Sequence, residues 1–266
     1  MEMLTYLQDN TKDNRLIRWP ESCFPLKFYV APFRWYKRQT NDSYKYQAMV
    51  HRALAEWEKV SGGKVKFKLV QTLNESQINL DWKRIDRKAL GHCYFDFLDG
   101  YKLYSADVQI GLSDGIIHQQ YQDENEVYHT ILHEIGHALG LGHSPYDTDI
   151  MYTPHKYGVV SLSKRDAASI QWLYKLPLGI SVTEMAKRYG VNSDNFDYII
   201  ANATGIKNGE FENVKNSIKI PKKDLMNEQD RIAEIKKYNL GLQNIKISSD
   251  VQEYIKKKII MPKDKQ

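Results

Sequence analysis

Between residues 42 and 60 the apolar positions recur at helical spacing, with Met49, Ala53, Trp57 and Val60 on one face. Short runs rich in β-branched and aromatic residues follow: VKFKLV (65–70), INLDW (78–82), LGHCYFDF (90–97) and ADVQIGL (106–112). A second helix is predicted over 126–139, EVYHTILHEIGHAL, with Val127, Ile131, Leu132, Ile135 and Leu139 directed at a core. Leu176-Pro177 then interrupts helical geometry, and a domain boundary is expected there. No stretch approaches eighteen consecutive apolar residues, so no membrane-spanning helix is expected.

The second helix also carries polar residues that core packing does not explain. Residues 133–143, HEIGHALGLGH, have the spacing His-Glu-x-x-His-x-x-Gly-x-x-His. Residues four apart share a helix face, so His133 and His137 project towards one point. Glu134 lies beside that point, close enough to act on a water there. Gly140 lets the chain leave the helix in a backbone conformation that other residues resist. The turn then brings His143 back as a third ligand. Three neutral imidazoles with one open position describe a catalytic zinc, whereas a structural zinc is closed by four protein ligands. A bare His-Glu-x-x-His arises in roughly one chain in a hundred of this length; the glycine and third histidine lower that by roughly a thousandfold.

HEIGHALGLGHS followed by DIM (149–151) resembles the metzincin metallopeptidases, and within them the matrixin branch. Ser144 is the matrixin-like residue after the third histidine, and Met151 stands where that family places the methionine of its Met-turn. LSKRDAASIQWLY (162–174) is similar to the family's closing helix, where Asp166 matches a buried aspartate bonded to the Met-turn backbone. Arg165 departs from the pattern, since many matrixins have a further aspartate there that receives a processed N-terminus. RWPESCFPLKFYVAP (18–32) looks like an opening strand of such domains. The resemblance covers about residues 16–176 and implies an α+β fold, a twisted mixed sheet plus an active-site helix, after an N-terminal extension (1–15).

By the same resemblance, Leu90, Gly91, His92, Cys93 and Tyr94 belong to the edge strand that binds extended substrate. TPHKY (153–157), with Pro154 and Tyr157, forms the opposite wall. In the family this strand's histidine often joins a second, structural zinc. The preceding loop KRIDRK (83–88) holds no histidine, so one catalytic zinc and no closed second site is expected. Asp96, Asp99 and Gly100 have the residue types of a calcium loop and equally of a polar turn, so Ca²⁺ has no specific support. His51, His118, His129 and His155 lack ligand-like spacing and read as ordinary histidines.

Residues 181–221 resemble a LysM domain, a small βααβ module that binds N-acetylglucosamine-containing glycans. The matching positions are Met185-Ala186, Tyr189-Gly190-Val191, Ile199-Ile200, Asn202, Ile206 and Ile218-Lys219-Ile220-Pro221. Gly179-Ile180-Ser181-Val182 replaces the family's Gly-Asp-Thr-Leu opening, and Lys215 stands where a glycine is usual. The domain is expected over 177–221, with peptidoglycan or chitin-type glycan as its partner; a plain helical accessory domain is the other reading. Residues 222–266 form a basic C-terminal region, read also as a degenerate second copy.

Charge is uninformative over most of the chain. Residues 222–266 hold 11 Lys+Arg against 7 Asp+Glu, leaving 27 against 26 elsewhere. The net +5 is therefore a property of the tail, and no nucleic-acid partner is expected. Cys23 and Cys93 leave two readings open, one disulfide or two thiols. The N-terminal MEMLTYLQDNTKDNR lacks the charged-then-apolar pattern of a secretory signal, while the resemblance implies secretion or the cell envelope; a cytoplasmic location stays open. These features point to a zinc-dependent endopeptidase with a LysM-like targeting module, acting on protein or peptide substrate with Glu134 as general base. The alternative is a non-catalytic glycan-binding envelope protein that keeps the zinc helix as scaffold.

Overall fold

The computed structural model describes residues 3–32, 42–84, 90–112 and 124–205. Alternation builds its sheet. Ile78, Leu80 and Trp82 of one strand are buried, as are Val108, Ile110 and Leu112 of its neighbour, while residues between them are more open. Five strands form this sheet: β3 (Leu26–Val30), β4 (Phe67–Leu69), β5 (Ile78–Arg84), β6 (Gly91–Leu98) and β7 (Lys102–Leu112). Their spatial order is β4-β3-β5-β7-β6. Neighbours run parallel except β6, which pairs antiparallel with β7 and forms one edge. The two-residue strands β1 (Thr11–Lys12) and β2 (Arg15–Leu16) make a separate hairpin ahead of it.

The turn between β6 and β7 closes with Tyr101 N–H donating to Leu98 O at 3.1 Å, with Gly100 and Tyr101 left-handed. Asp99 and Gly100 therefore sit in a tight hairpin turn.

Helix α1 (Asp42–Val60) buries Val50, Ala53, Leu54 and Trp57, which are three and four apart. Met49 and Val60, expected on the inner face, are only half-buried. The buried stripe is centred nearer Val50 and Leu54. Helix α2 (Glu124–Ala138) lies between α1 and the β6–β7 face of the sheet and is buried almost all round, including Val127, Ile131, Leu132 and Ile135. Three side chains from distant segments bind backbone carbonyls of its C-terminal half and of the residue just past its end. Trp57 Nε1 donates to Leu132 O at 3.1 Å, Trp19 Nε1 to Ala138 O at 2.8 Å, and Tyr174 Oη to Leu139 O at 2.8 Å.

Helix α3 (Lys164–Leu173) starts from a capping box in which Ser163 and Asp166 exchange bonds with each other's backbone N–H. Helices α4 (Val182–Tyr189) and α5 (Phe196–Ala203) follow, capped by Ser181 and Asn195. The chain divides into two units, Met1–Ile220 and Pro221–Gln266, so α4 and α5 pack within the first. The LysM-like positions Ile206, Lys215 and Ile218–Pro221 lie outside the described residues, as do the basic region 222–266 and His118.

Trp57 joins α1 to α2 by both packing and an indole bond, so it tests this arrangement. Trp57→Ala is expected to lower unfolding free energy by about 3–5 kcal/mol in urea denaturation. A loss below about 1 kcal/mol would show that α2 does not rest on α1.

Candidate active site

On α2, His133 and His137 stand one turn apart, with ring centroids 4.7 Å from each other. Their Nδ1 atoms meet backbone carbonyls, Ile150 O at 2.7 Å and Leu141 O at 2.8 Å. A carbonyl oxygen only accepts, so each Nδ1 carries the proton. Burial, aided by neighbouring rings, holds His133 well below the usual histidine range, and burial lowers His137 to about 4. Both rings are therefore neutral at pH 7, with bare lone pairs on Nε2. These two Nε2 atoms lie 3.1 Å apart. Two lone pairs facing at that distance repel unless a cation lies between them. The loop residue His143 completes the set: ligand atoms of His133, His137 and His143 all fall within 4.8 Å of one another. Among the described residues this is the one cluster of three or more His, Cys, Asp or Glu side chains so arranged. The donor set of three imidazoles suits zinc.

Gly140, left-handed at φ +96°, turns the chain from α2 towards His143, as its position in the motif implied. Glu134 lies beside the histidines and is 6% exposed; burial pushes its carboxyl up to about 8. β6 passes directly over it. A Cβ at Gly91 would lie 2.7 Å from Glu134 Cγ and 2.8 Å from Thr130 Cγ2, so only glycine lets the strand approach this closely.

Met151 is fully buried under the other side of α2, with its sulfur filling the space above Gly136. The turn before it is tied at both ends. Ile150 N–H donates to Asp166 Oδ2 at 3.0 Å, and Ser144 N–H donates to Met151 O at 2.8 Å. Asp149 in that turn accepts from Arg165 Nη1 at 3.0 and 2.8 Å, and both side chains are buried.

A cleft of about 600 Å³ opens over the histidines. Of the residues singled out from the sequence, Leu90, Gly91, His92, Cys93 and Pro154 line it together with His133, Glu134, His137 and His143. Tyr94 and Tyr157 are more than half exposed and lie outside that lining. Tyr94 stacks on His92 at 5.8 Å, and Tyr157 meets the His155 ring edge-on at 5.3 Å. Both cysteines are free, and burial raises the Cys93 thiol well above its ordinary value.

The cleft also contains residues not expected in it, among them two histidines that read from the sequence as ordinary. His129 and His155 line it, with rings 4.1 Å apart edge-to-face. His155 Nε2 pairs with the buried Glu126 carboxylate, which also accepts the Gly158 N–H at 3.2 Å. His129 had a legible signal, since it precedes His133 by four residues on one helix. Asp9 and Asn10 line the cleft as well, from far away in sequence, and no local pattern marks them.

Convergent neutral imidazoles on a buried helix, a glutamate beside them and an edge strand above define the class of zinc metallopeptidases. A matrixin family model matches residues 30–175, more than half of the chain, and the chain belongs to the matrixin family, whose members are zinc-dependent metalloendopeptidases. Among its relatives, a putative matrix metalloproteinase of Heliothis virescens ascovirus 3e is 27% identical over 167 residues, 53% of this chain and 34% of that protein. A probable matrix metalloproteinase 095L of Invertebrate iridescent virus 3 is 49% identical over 55 residues, 20% of this chain and 14% of that protein. Matrix metalloproteinase-A of Caenorhabditis elegans is 32% identical over 89 residues, 32% of this chain and 16% of that protein. The matches span about a third or less of these relatives' lengths.

His129 gives the site a pH signature. Its Nδ1 donates to Val159 O at 2.6 Å, and burial lowers its pKa to about 4. The unfolded chain takes up this proton near pH 6.5, the folded protein only near 4. The stability from neutral His129 is therefore full above pH 6.5 and is lost as pH falls towards 4, by up to about 3 kcal/mol. His129→Phe should lessen the slope of stability against pH across this window in urea melts. An unchanged slope would show that His129 does not enter the folded state uncharged.

Proposed function

We propose that this chain is a zinc endopeptidase whose metal is held by His133, His137 and His143 and whose general base is Glu134. The observation that carries this reading is the pair of opposed Nε2 atoms, 3.1 Å apart, beside a buried glutamate and under an edge strand. Zinc, when bound, supplies the Lewis acid that polarises a scissile carbonyl and makes water easier to deprotonate. A carboxylate oxygen of Glu134 takes the proton of the attacking water and returns it to the departing amine. Burial keeps this carboxyl near the pH range where it can do both; a cation at the histidines draws it lower. Met151 supports the ligand pair from beneath. Extended substrate adds as a strand beside Leu90–Tyr94, bonding main chain to main chain, while Pro154 and Tyr157 belong to the facing wall.

About one zinc per chain is expected by metal analysis, with most of it lost in His137→Ala. Glu134→Ala should keep the zinc and the fold yet lose more than a hundredfold in peptide cleavage. Near-normal turnover in that variant would remove Glu134 from the mechanism. Zinc binding by the unaltered chain without cleavage of any denatured protein would favour the non-catalytic scaffold reading.

We further propose that residues 177–221 guide the enzyme to envelope glycan outside the cell, as a LysM-like module. The support is the sequence likeness together with two short capped helices, α4 and α5, of the kind a βααβ unit contains. Full-length protein should then sediment with insoluble peptidoglycan or chitin. Sedimentation with neither would leave the peptidase reading intact and make this region an accessory to the catalytic unit.

A further inference from the structure

The N-terminal residues 3–10 run across the molecule as a strap between α5, α3 and the metal site. Met3 O accepts from Arg165 Nε at 2.9 Å, and Tyr6 Oη donates to Asp166 Oδ1 at 2.6 Å. The tightest anchorage is at α5. Asp197 is 6% exposed, and its carboxylate accepts Thr5 Oγ1 at 2.6 Å, Leu7 N–H at 2.7 Å and Gln8 N–H at 3.0 Å. Gln8 Oε1 in return accepts the Phe196 N–H at 2.9 Å. The main-chain donors Leu7 and Gln8 begin the 3₁₀ turn Leu7–Asn10, whose first amides have no partner inside the turn. Asp197 supplies that partner and so sets where the turn ends.

At that end the strap meets the third histidine. Asp9 Oδ2 accepts the His143 N–H at 2.7 Å and lies 3.8 Å from His143 Nδ1. Asn10 Nδ2 donates to Gly140 O, in the turn that leads to His143. His133 and His137 have their outer ring nitrogens seated on carbonyls close to the motif, Ile150 O and Leu141 O. His143 is on a loop: the strap holds it by its main-chain N–H, and the same Asp9 carboxylate stands near its Nδ1 without a hydrogen bond to it. Groups just outside the ligands fix where a ligand ring stands, here through the main chain of His143, and losing one typically costs about 10–100-fold in metal affinity.

We propose that Asp9 is a positioning residue for His143, and that Asp197 on α5 sets its position through the strap. Metal retention would then depend on a carboxylate in a helix outside the family-matched region 30–175. The proposal rests on the reading of His143 as a zinc ligand.

The experiment measures zinc affinity by chelator competition on the full chain, together with amide exchange at His143 in the metal-free protein. Asp9→Ala is expected to weaken zinc binding about tenfold or more and to speed exchange of the His143 N–H, while the metal-free protein melts as before. Asp9→Asn keeps an accepting oxygen without the charge and should fall between. Asp197→Ala should move both readouts in the same direction, and the double variant should bind zinc no more weakly than Asp9→Ala, because both changes break one link. Zinc affinity within twofold of the unaltered chain in Asp9→Ala would overturn the proposal. So would Asp197→Ala that lowers thermal stability but leaves zinc affinity and His143 exchange untouched. Failure of the unaltered chain to hold zinc would strike the ligand reading itself, and the exchange arm would still report on the strap.

Discussion

The two inner imidazoles converge because main-chain oxygens hold their Nδ1 protons. Helical spacing brings the rings to one face, but an imidazole can rotate and exchange tautomers, and spacing alone does not aim its lone pair. Ile150 O and Leu141 O do that here. Each carbonyl in turn has to be placed. Leu141 is set by the close of α2, where its own N–H donates to Gly136 O at 3.0 Å. Ile150 is set by Asp166, which also caps α3 and accepts the Tyr6 hydroxyl. The chemistry at the cleft thus depends on hydrogen bonds under the helix.

The layer beneath is ionic as well as hydrogen-bonded. Arg165 and Asp149 are paired in the interior, with the guanidinium 3.7 Å from the centre of the Tyr146 ring. Removing one member of such a pair typically costs about 3–5 kcal/mol, because the other is left charged and buried. The pair ties the loop from Ser144 to Met151 to helix α3. It also places a cation from within the chain at position 165, where many matrixins resembling it carry an aspartate. Asp149 is satisfied by that internal guanidinium, while Asp166 receives the Tyr6 hydroxyl from the N-terminal strap.

The amino-acid sequence by itself determined the convergent histidine trio, the adjacent glutamate, the left-handed exit at Gly140 and the existence of α1, α2 and the strands. All of these depend on spacings within about a dozen residues, where helix and strand geometry translate directly into periodicity. It missed by about a residue where the buried stripe of α1 is centred, since that depends on how the helix rolls against α2. Only the tertiary structure brought His155 to the cleft wall and Glu126 to His155, laid β6 over Glu134 at Gly91, and carried Asp9 to His143. Those contacts join segments separated by up to 134 positions. Each is made by ordinary polar or small residues that carry no mark in their local sequence, so their meaning appears only when the packed sheet and helices set them face to face.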